Sequence, residues 1–411
     1  MKQTNFLILA LVALLASCSS NTETKRTMLT NLSFYVLVFL FIATACNSNE
    51  NGVKQEFVTV SVSIEENSIN LSELFESIKP ILLETNDSSL IGEYPELSFT
   101  DNLIFIKADN KIKIFDFDGK FFRSIDRKGN GSGEYMGISD FYVNEQSKRI
   151  EVLDKRQKKI LNYNYDGDFL DDVSLNYWGG KIIRDSQNRL YVYSGYERDE
   201  DNIYKFNVFD GEVRHAFYEI DEKKSEYLHI MNPIYFHKNY EDEILFFEPF
   251  NDTIYTQEKQ SIEPKYVISY NGRNVPESFY ANNEFPSVFE FFQEYNKHDY
   301  VNSTYNVIET DNNLLFTCTK GSDKYLVLHD KKNNNAYSYN RIVGDLFSDG
   351  IELPFQNDDF LFFAENNTIL FFLQPYWLIE HKDKIVSKDL KRMMKDLNEE
   401  DNPILMVGRL K

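Results

Sequence analysis

One unit is written twice between Leu103 and Leu170, as Ile112–Phe122 (IKIFDFDGKFF) and Ile160–Leu170 (ILNYNYDGDFL). Each copy alternates apolar and polar residues, breaks at Asp-Gly, and resumes alternating. Period-two alternation puts one set of side chains on one face, as a half-buried strand requires. Asp-Gly tolerates positive φ, so each break is predicted to be a tight I′ hairpin turn. A chain built this way is a series of hairpins.

The phase of the hairpins repeats. The first unit has strands predicted at 96–100, 103–108, 111–117 and 120–125, and the second at 138–143, 149–154, 158–165 and 169–175. A third unit starts near Lys181, a fourth covers Pro233–Tyr270, a fifth Thr304–Val343, and a sixth opens at Asp358. The turns Asp118-Gly119, Asp166-Gly167, Asp210-Gly211 and Asn271-Gly272 lie 48, 44 and 61 residues apart. Four-stranded propeller blades repeat at about 40–50 residues, so the last interval calls for an insertion. Asp101-Asn102, Gln187-Asn188 and Asn312-Asn313 fall between first and second strands. Asp109-Asn110, Asp201-Asn202 and Asn251-Asp252 fall between second and third.

Two segments leave this pattern. Val288, Phe289, Phe292 and Tyr295 recur at helical spacing within Phe285–Tyr300, as do Leu390, Met393, Met394 and Leu397 within Ser387–Asn398. Leu71–Phe75 reads as one helical turn capped by Asn70 or Ser72. The sixth unit lacks a full set of strands, which a strand near Val58 or Leu82 could complete. The expectation is an all-β fold: a six-bladed β-propeller of four-stranded blades with two short helical insertions, closed by N- and C-terminal strands.

Two signal-like segments precede the repeats. Lys2 is followed by an apolar run ending at Ala16-Ser17-Cys18, and Lys25-Arg26 by another ending at Ala43-Thr44-Ala45-Cys46. Both runs fall short of the roughly 20 residues of a spanning helix. Small residues followed at once by Cys resemble the lipobox of bacterial lipoproteins, which implies acylation. Cys46 is the preferred site and Cys18 the alternative, because use of Cys18 would leave the apolar run 32–45 exposed. Met28 is an alternative start. Residues 1–46 are thus read as the signal region, 47–56 as a tether and 57–411 as the propeller.

Composition excludes several classes. Net charge is −21 with no basic block, so nucleic acid is not an expected partner. Of three cysteines only Cys318 lies in the folded part, which excludes a disulfide framework and Cys-rich zinc sites. It sits in a strand-like run and reads as a small buried residue.

The set of local sequences resembles the six-bladed β-propeller lipoproteins of Bacteroidetes, an NHL-like group. It comprises Leu71–Phe75, Leu82–Thr85 with Leu90–Gly92, Asp118–Phe121, Arg127–Tyr135 with Ile138–Phe141, and Asp401–Leu405. Ser132 departs from the Pro usual there. The resemblance implies a propeller and a cell-envelope address, and it carries no catalytic residues.

Chemistry-bearing motifs are few. The Gly129–Tyr135 loop lacks the Lys-Ser/Thr of a phosphate loop and joins strands, so it reads as a blade-to-blade crossover. Arg127, Lys128, Glu134 and Tyr135 flank it and are the ligand candidates, should they face the channel. The stretches 116–119 and 164–168 lack the full calcium-loop ligand set. His215, His229, His237, His298, His329 and His381 are scattered and read as surface or rim residues. No nucleophile elbow or paired metal-binding His motif is present. No catalytic, cofactor or metal residue is assigned, and no cofactor is expected. The expected function is a lipid-anchored outer-membrane binding or interaction module for a glycan, a peptide or an envelope protein. It would meet the membrane through its N-terminal lipid only. The alternative is a polysaccharide-active enzyme, a glycoside hydrolase or lyase working in the channel.

Overall fold

The first strands of the chain pair with segments far down its length. The computed structural model describes residues 57–411 apart from 93–94, 230–235, 249, 259–260, 358–359, 361 and 366. Cys18, Cys46 and the tether lie outside them. Strand β1 (Val58–Ser61) and strand β2 (Ser68–Asn70) come first. The short helix α1 (Leu71–Leu74) follows, its Glu73 carboxylate accepting from Asn70 N at 3.0 Å. Then comes β3 (Phe75–Leu82).

Blade one is β4 (Glu96–Phe99), β5 (Leu103–Ala108), β6 (Lys111–Asp116) and β7 (Phe121–Ile125). Blade two is β8 (Asp140–Asn144), β9 (Arg149–Asp154), β10 (Lys159–Asn164) and β11 (Phe169–Ser174). Blade three is β12 (Lys181–Arg184), β13 (Leu190–Tyr193), β14 (Tyr204–Asp210) and β15 (Val213–Glu219). Helix α2 (Glu222–Leu228) leads to blade four: β16 (Phe236–Lys238), β17 (Ile244–Phe247), β18 (Thr253–Glu258) and β19 (Ser261–Ser269). Helices α3 (Glu277–Asn282) and α4 (Val288–Tyr295) precede blade five, which is β20 (Val301–Glu309), β21 (Asn313–Lys320), β22 (Asp323–Asp330) and β23 (Asn335–Tyr339). Strand β24 (Arg341–Val343) follows, then β25 (Phe362–Glu365) and β26 (Thr368–Leu373). Helices α5 (Pro375–Glu380) and α6 (Lys388–Met393) intervene before β27 (Ile404–Leu410).

The sixth blade has the order β25-β26-β27-β3. Strand β3, the one ending at Leu82, closes the ring, with Leu82 opposite Ile404. Strand β1 does something else: it adds in parallel to β19, Val58 opposite Tyr266, as a fifth strand on blade four. Strand β2 pairs in parallel with β24, so the fifth blade ends at Tyr339 rather than Val343. Between them the chain is tied to blade five, where Ser338 Oγ donates to Ser63 O at 3.0 Å and accepts from Glu65 N at 2.8 Å.

The turns differ from expectation in a specific way. Gly119 and Gly167 have positive φ but the aspartates before them do not. Gly119 N donates to Asp116 O, and the Asp116 carboxylate accepts from Asp118 N and Lys120 N. Gly167 N and Asn164 repeat that pattern. These are type I turns closed by a left-handed glycine, not I′ turns. The I′ geometry sits at Asp109-Asn110, where both φ angles are positive. Asn271-Gly272 follows the fourth strand of its blade, not the third. The long interval therefore compared unlike positions.

The core is a ring of wedges between sheets. Phe105, Ile114, Tyr135, Val152 and Tyr163 fill the space between blades one and two. Ile81, Ile104, Phe115, Leu370 and Leu405 fill the closing seam between blades six and one. Each fully buried side chain of this size contributes about 1.5–3 kcal/mol. Buried ion pairs cross other seams: Arg184 Nε with Glu151 at 2.7 Å, Lys205 Nζ with Glu248 at 2.8 Å, and Lys265 Nζ with Glu309 at 2.8 Å.

Each blade is an antiparallel meander, so inter-blade connections and the loops joining second to third strands emerge on one face. Helices α2 to α6 all lie in such connections and load that face. Two were predicted; α2, α3 and α5 were not. An aromatic cluster of Tyr196, Tyr227, Phe279, Phe285, Phe291 and Tyr295 binds α2, α3 and α4 together.

Candidate functional site

The first strand of each blade lines the propeller axis, and there a cavity of about 160 Å³ opens. Three of these strands begin with a charged residue: Glu96 on β4, Asp140 on β8 and Lys181 on β12. Equivalent positions in neighbouring blades converge at the axis, so the three side chains meet. Lys181 Nζ lies 3.1 Å from Glu96 Oε2 and 2.9 Å from Asp140 Oδ1. Lys107 Nζ, from β5, reaches Glu96 Oε1 at 2.5 Å. Asp140 Oδ2 also accepts from Ile182 N at 2.8 Å.

The two carboxyl groups are displaced in opposite directions. Burial works to raise Glu96, but the Lys181 and Lys107 ammoniums outweigh it and hold it well below the usual carboxylate range. Burial dominates at Asp140, which is raised despite Lys181, with the nearby Glu96 charge adding to the rise.

His237, on β16, also lines the cavity. Its side chain is buried, and burial lowers its pKa from 6.5 to about 4. Its Nε2 is buried without a hydrogen-bond partner, and the Ala364 backbone nearby favours the protonated ring without offsetting burial. Phe99, Phe236 and Phe363 supply apolar surface beside these groups. Tyr142 does so too, its hydroxyl accepting from Lys238 Nζ at 3.2 Å.

The candidates taken from sequence lie elsewhere. Arg127, Lys128, Glu134 and Tyr135 occupy the crossover from β7 to β8, and none lines the axial cavity. Tyr135 is fully buried, and its hydroxyl lies 2.9 Å from Asn110 O and 3.1 Å from Ile125 O. Glu134 folds back to accept from Gly131 N at 2.8 Å. Arg127 Nη2 donates to Gly167 O at 3.2 Å, stapling the crossover to the next blade. The histidines also divide differently than expected: His237 and His329 are buried, not peripheral. Cys318 is buried as anticipated, and burial pushes its thiol up to about 12. Glu96, Asp140 and Lys181 were missed, although one signal was present: a charged residue opens the first strand in three consecutive units.

Fold and cavity together define a six-bladed β-propeller with a polar site on its axis. The chain belongs to the family described as domain of unknown function DUF4934, whose model matches residues 56–409. No curated protein matches it. Among solved structures it is similar to one described as an exported protein from Bacteroides fragilis NCTC 9343. That likeness has 23% identity, a TM-score of 0.70, and covers 87% of this chain and 100% of the other. It is similar also to a member of the duf4221 family from Bacteroides vulgatus ATCC 8482, at 10% identity and a TM-score of 0.49, covering 82% and 98%. Among the described residues, no helix is long and apolar enough to cross a membrane.

Proposed function

We propose that this chain is exported, held at the cell envelope through an acyl group on Cys46, and works as a binding module. Its ligand, a glycan or a peptide, seats at the axial cavity. The carrying observation is the position of Lys181. Its ammonium sits between Glu96 and Asp140, within hydrogen-bond reach of both. Charges balanced in this way suit recognition of a ligand's polar groups. The tandem signal-like segments support the envelope address, and so does the export ascribed to the Bacteroides fragilis protein of the same fold.

One observation favours a second reading. The opposite displacement of Glu96 and Asp140 is the kind of split that separates acid from base in glycoside hydrolases. A thermal-shift screen of glycans and peptides, followed by a turnover assay on each hit, separates the two. Binding without turnover supports the module. Product formation abolished by Asp140→Asn would replace it with the enzyme. The anchor is tested by mass spectrometry of the mature N-terminus: an acylated Cys46 is expected, and an unmodified one refutes the tether.

A further inference from the structure

A second opening lies at the closing seam between blades six and one, and no residue lines both it and the axial cavity. It measures about 520 Å³, within the range of about 300–1,000 Å³ that takes drug-sized guests. Three stretches distant in sequence enclose it: 82–85 at the end of β3, 118–120 in the turn before β7, and residues of α6 and the connection behind it. Gly119 lets the first two close up, because no Cβ has room against Leu82 O.

The lining is amphipathic. Met393 and Leu397 present partly exposed apolar surface, packed on the core behind them. Around them stand four carboxylates, Glu84, Asp118, Asp396 and Asp401, against two cations, Lys120 and Arg392. Arg392 is paired at 3.0 Å with Asp389, which lies outside the lining. Glu84 and Asp401 are committed to the fold, accepting from Phe121 N at 3.0 Å and Asn398 N at 2.7 Å. The side chains of Asp118, Asp396 and Lys120 have no partner among the described residues. Two open carboxylates, one open ammonium and an apolar strip remain, with negative charge in excess.

This set restricts the guest. The excess of negative charge selects a cation. A bare metal ion does not fit, since among the described residues no three carboxylate, His or Cys side chains are grouped to hold one. The open ammonium of Lys120 needs an acceptor, which a polyamine lacks and a peptide carbonyl supplies. The apolar strip is matched by an aliphatic side chain.

We propose that the groove at the closing seam binds a short basic peptide segment. Its cationic side chains meet Asp118 and Asp396, an aliphatic one lies on Met393 and Leu397, and a carbonyl accepts from Lys120. A guest gripping all three stretches also holds blades six and one together, so it raises the unfolding temperature. The test titrates the full chain by calorimetry with acetylated, amidated Lys-Leu-Lys-Leu, with the charge-reversed Glu-Leu-Glu-Leu, and with spermidine. Saturable binding of the basic peptide alone is expected, weaker when salt rises from about 20 to about 200 mM and accompanied by a higher melting temperature. The double variant Asp118→Asn/Asp396→Asn, at two exposed positions, should weaken that binding about fivefold or more. Asp210→Asn, at the matching turn of blade three, removes a charge elsewhere and should leave it unchanged. Equal affinity for the two peptides overturns the proposal, as does no binding, indifference to the double variant, or binding of spermidine in place of the peptide. None of these outcomes bears on the axial cavity, and an axial cavity that takes no ligand would leave the groove's result standing.

Discussion

Replacing His237 by Gln removes a titrating ring and keeps a polar side chain of similar reach. In the wild type, burial keeps the imidazole neutral down to about pH 4, against an ordinary 6.5. Between those limits the unfolded chain binds a proton that the folded chain refuses. Stability is therefore complete above pH 6.5 and is lost as pH falls toward 4. Each pH unit of displacement is worth about 1.4 kcal/mol, so about 3 kcal/mol disappears in all and about 2 kcal/mol between pH 7 and pH 5. Burial outweighs the Ala364 backbone and the Glu309 charge, both of which favour the protonated ring. Urea unfolding of wild type and His237→Gln at pH 7, 6 and 5 measures the effect. The difference between the two proteins should change by about 2 kcal/mol across that range, the wild type losing more. Other titrating groups are common to both and cancel. Parallel curves would refute the assignment of a buried, neutral imidazole at the axis.

Other perturbations follow from the same structure. Glu309 accepts from Tyr266, Asn239, Lys265 and Lys331 at the seam between blades four and five. Glu309→Ala should cost about 3–5 kcal/mol in urea unfolding, because Lys331 loses its carboxylate partner and Lys265 is left with Glu243 alone. At Gly119 a Cβ would stand 1.9 Å from the Leu82 carbonyl oxygen with φ at +84°. Gly119→Ala should destabilise the closing seam by about 2–3 kcal/mol, while Gly211→Ala, with nothing within 4 Å, should cost only about 1 kcal/mol. Equal losses would count against the close approach. Burial raises Asp252 from 3.8 to about 6. Its stabilising protonation is present below pH 3.8 and lost as pH rises through 6. Asp252→Asn should then be more stable than wild type by up to about 2 kcal/mol at pH 7 and equal to it at pH 4, read from thermal melts.

Alternation and turn residues made the blades legible because both are local. Ile112–Phe117 and Ile160–Tyr165 announce strands whatever surrounds them. The axial site was not legible for the opposite reason. Glu96, Asp140 and Lys181 are separated by about one blade each, and every one looks like an ordinary polar residue at a strand end. Only closure of the ring brings them together. Helices α2, α3 and α5 escaped because fewer than two full turns give periodicity little to show, whereas the apolar spacing of α6 runs on through the turn at Met394–Asp396. Their order comes from aromatic packing, such as Tyr227 stacked on Phe291 at 5.3 Å. The strand at Val58 was readable, but its parallel partner some two hundred residues away was not.

The opening belt across blades four, five and six bears on how the molecule would carry a load. A chain held by its N-terminus, as proposed, is pulled at the end that enters β1. The parallel ladder between β1 and β19 then takes tension along its strands, so its hydrogen bonds are sheared together rather than unzipped singly. The ties at Ser338 and the β2–β24 ladder stand next in line. The closing strand β3 stays slack until all of these have given way, so drag on the tether is spent at the outer rim before it reaches the seam that keeps the ring shut.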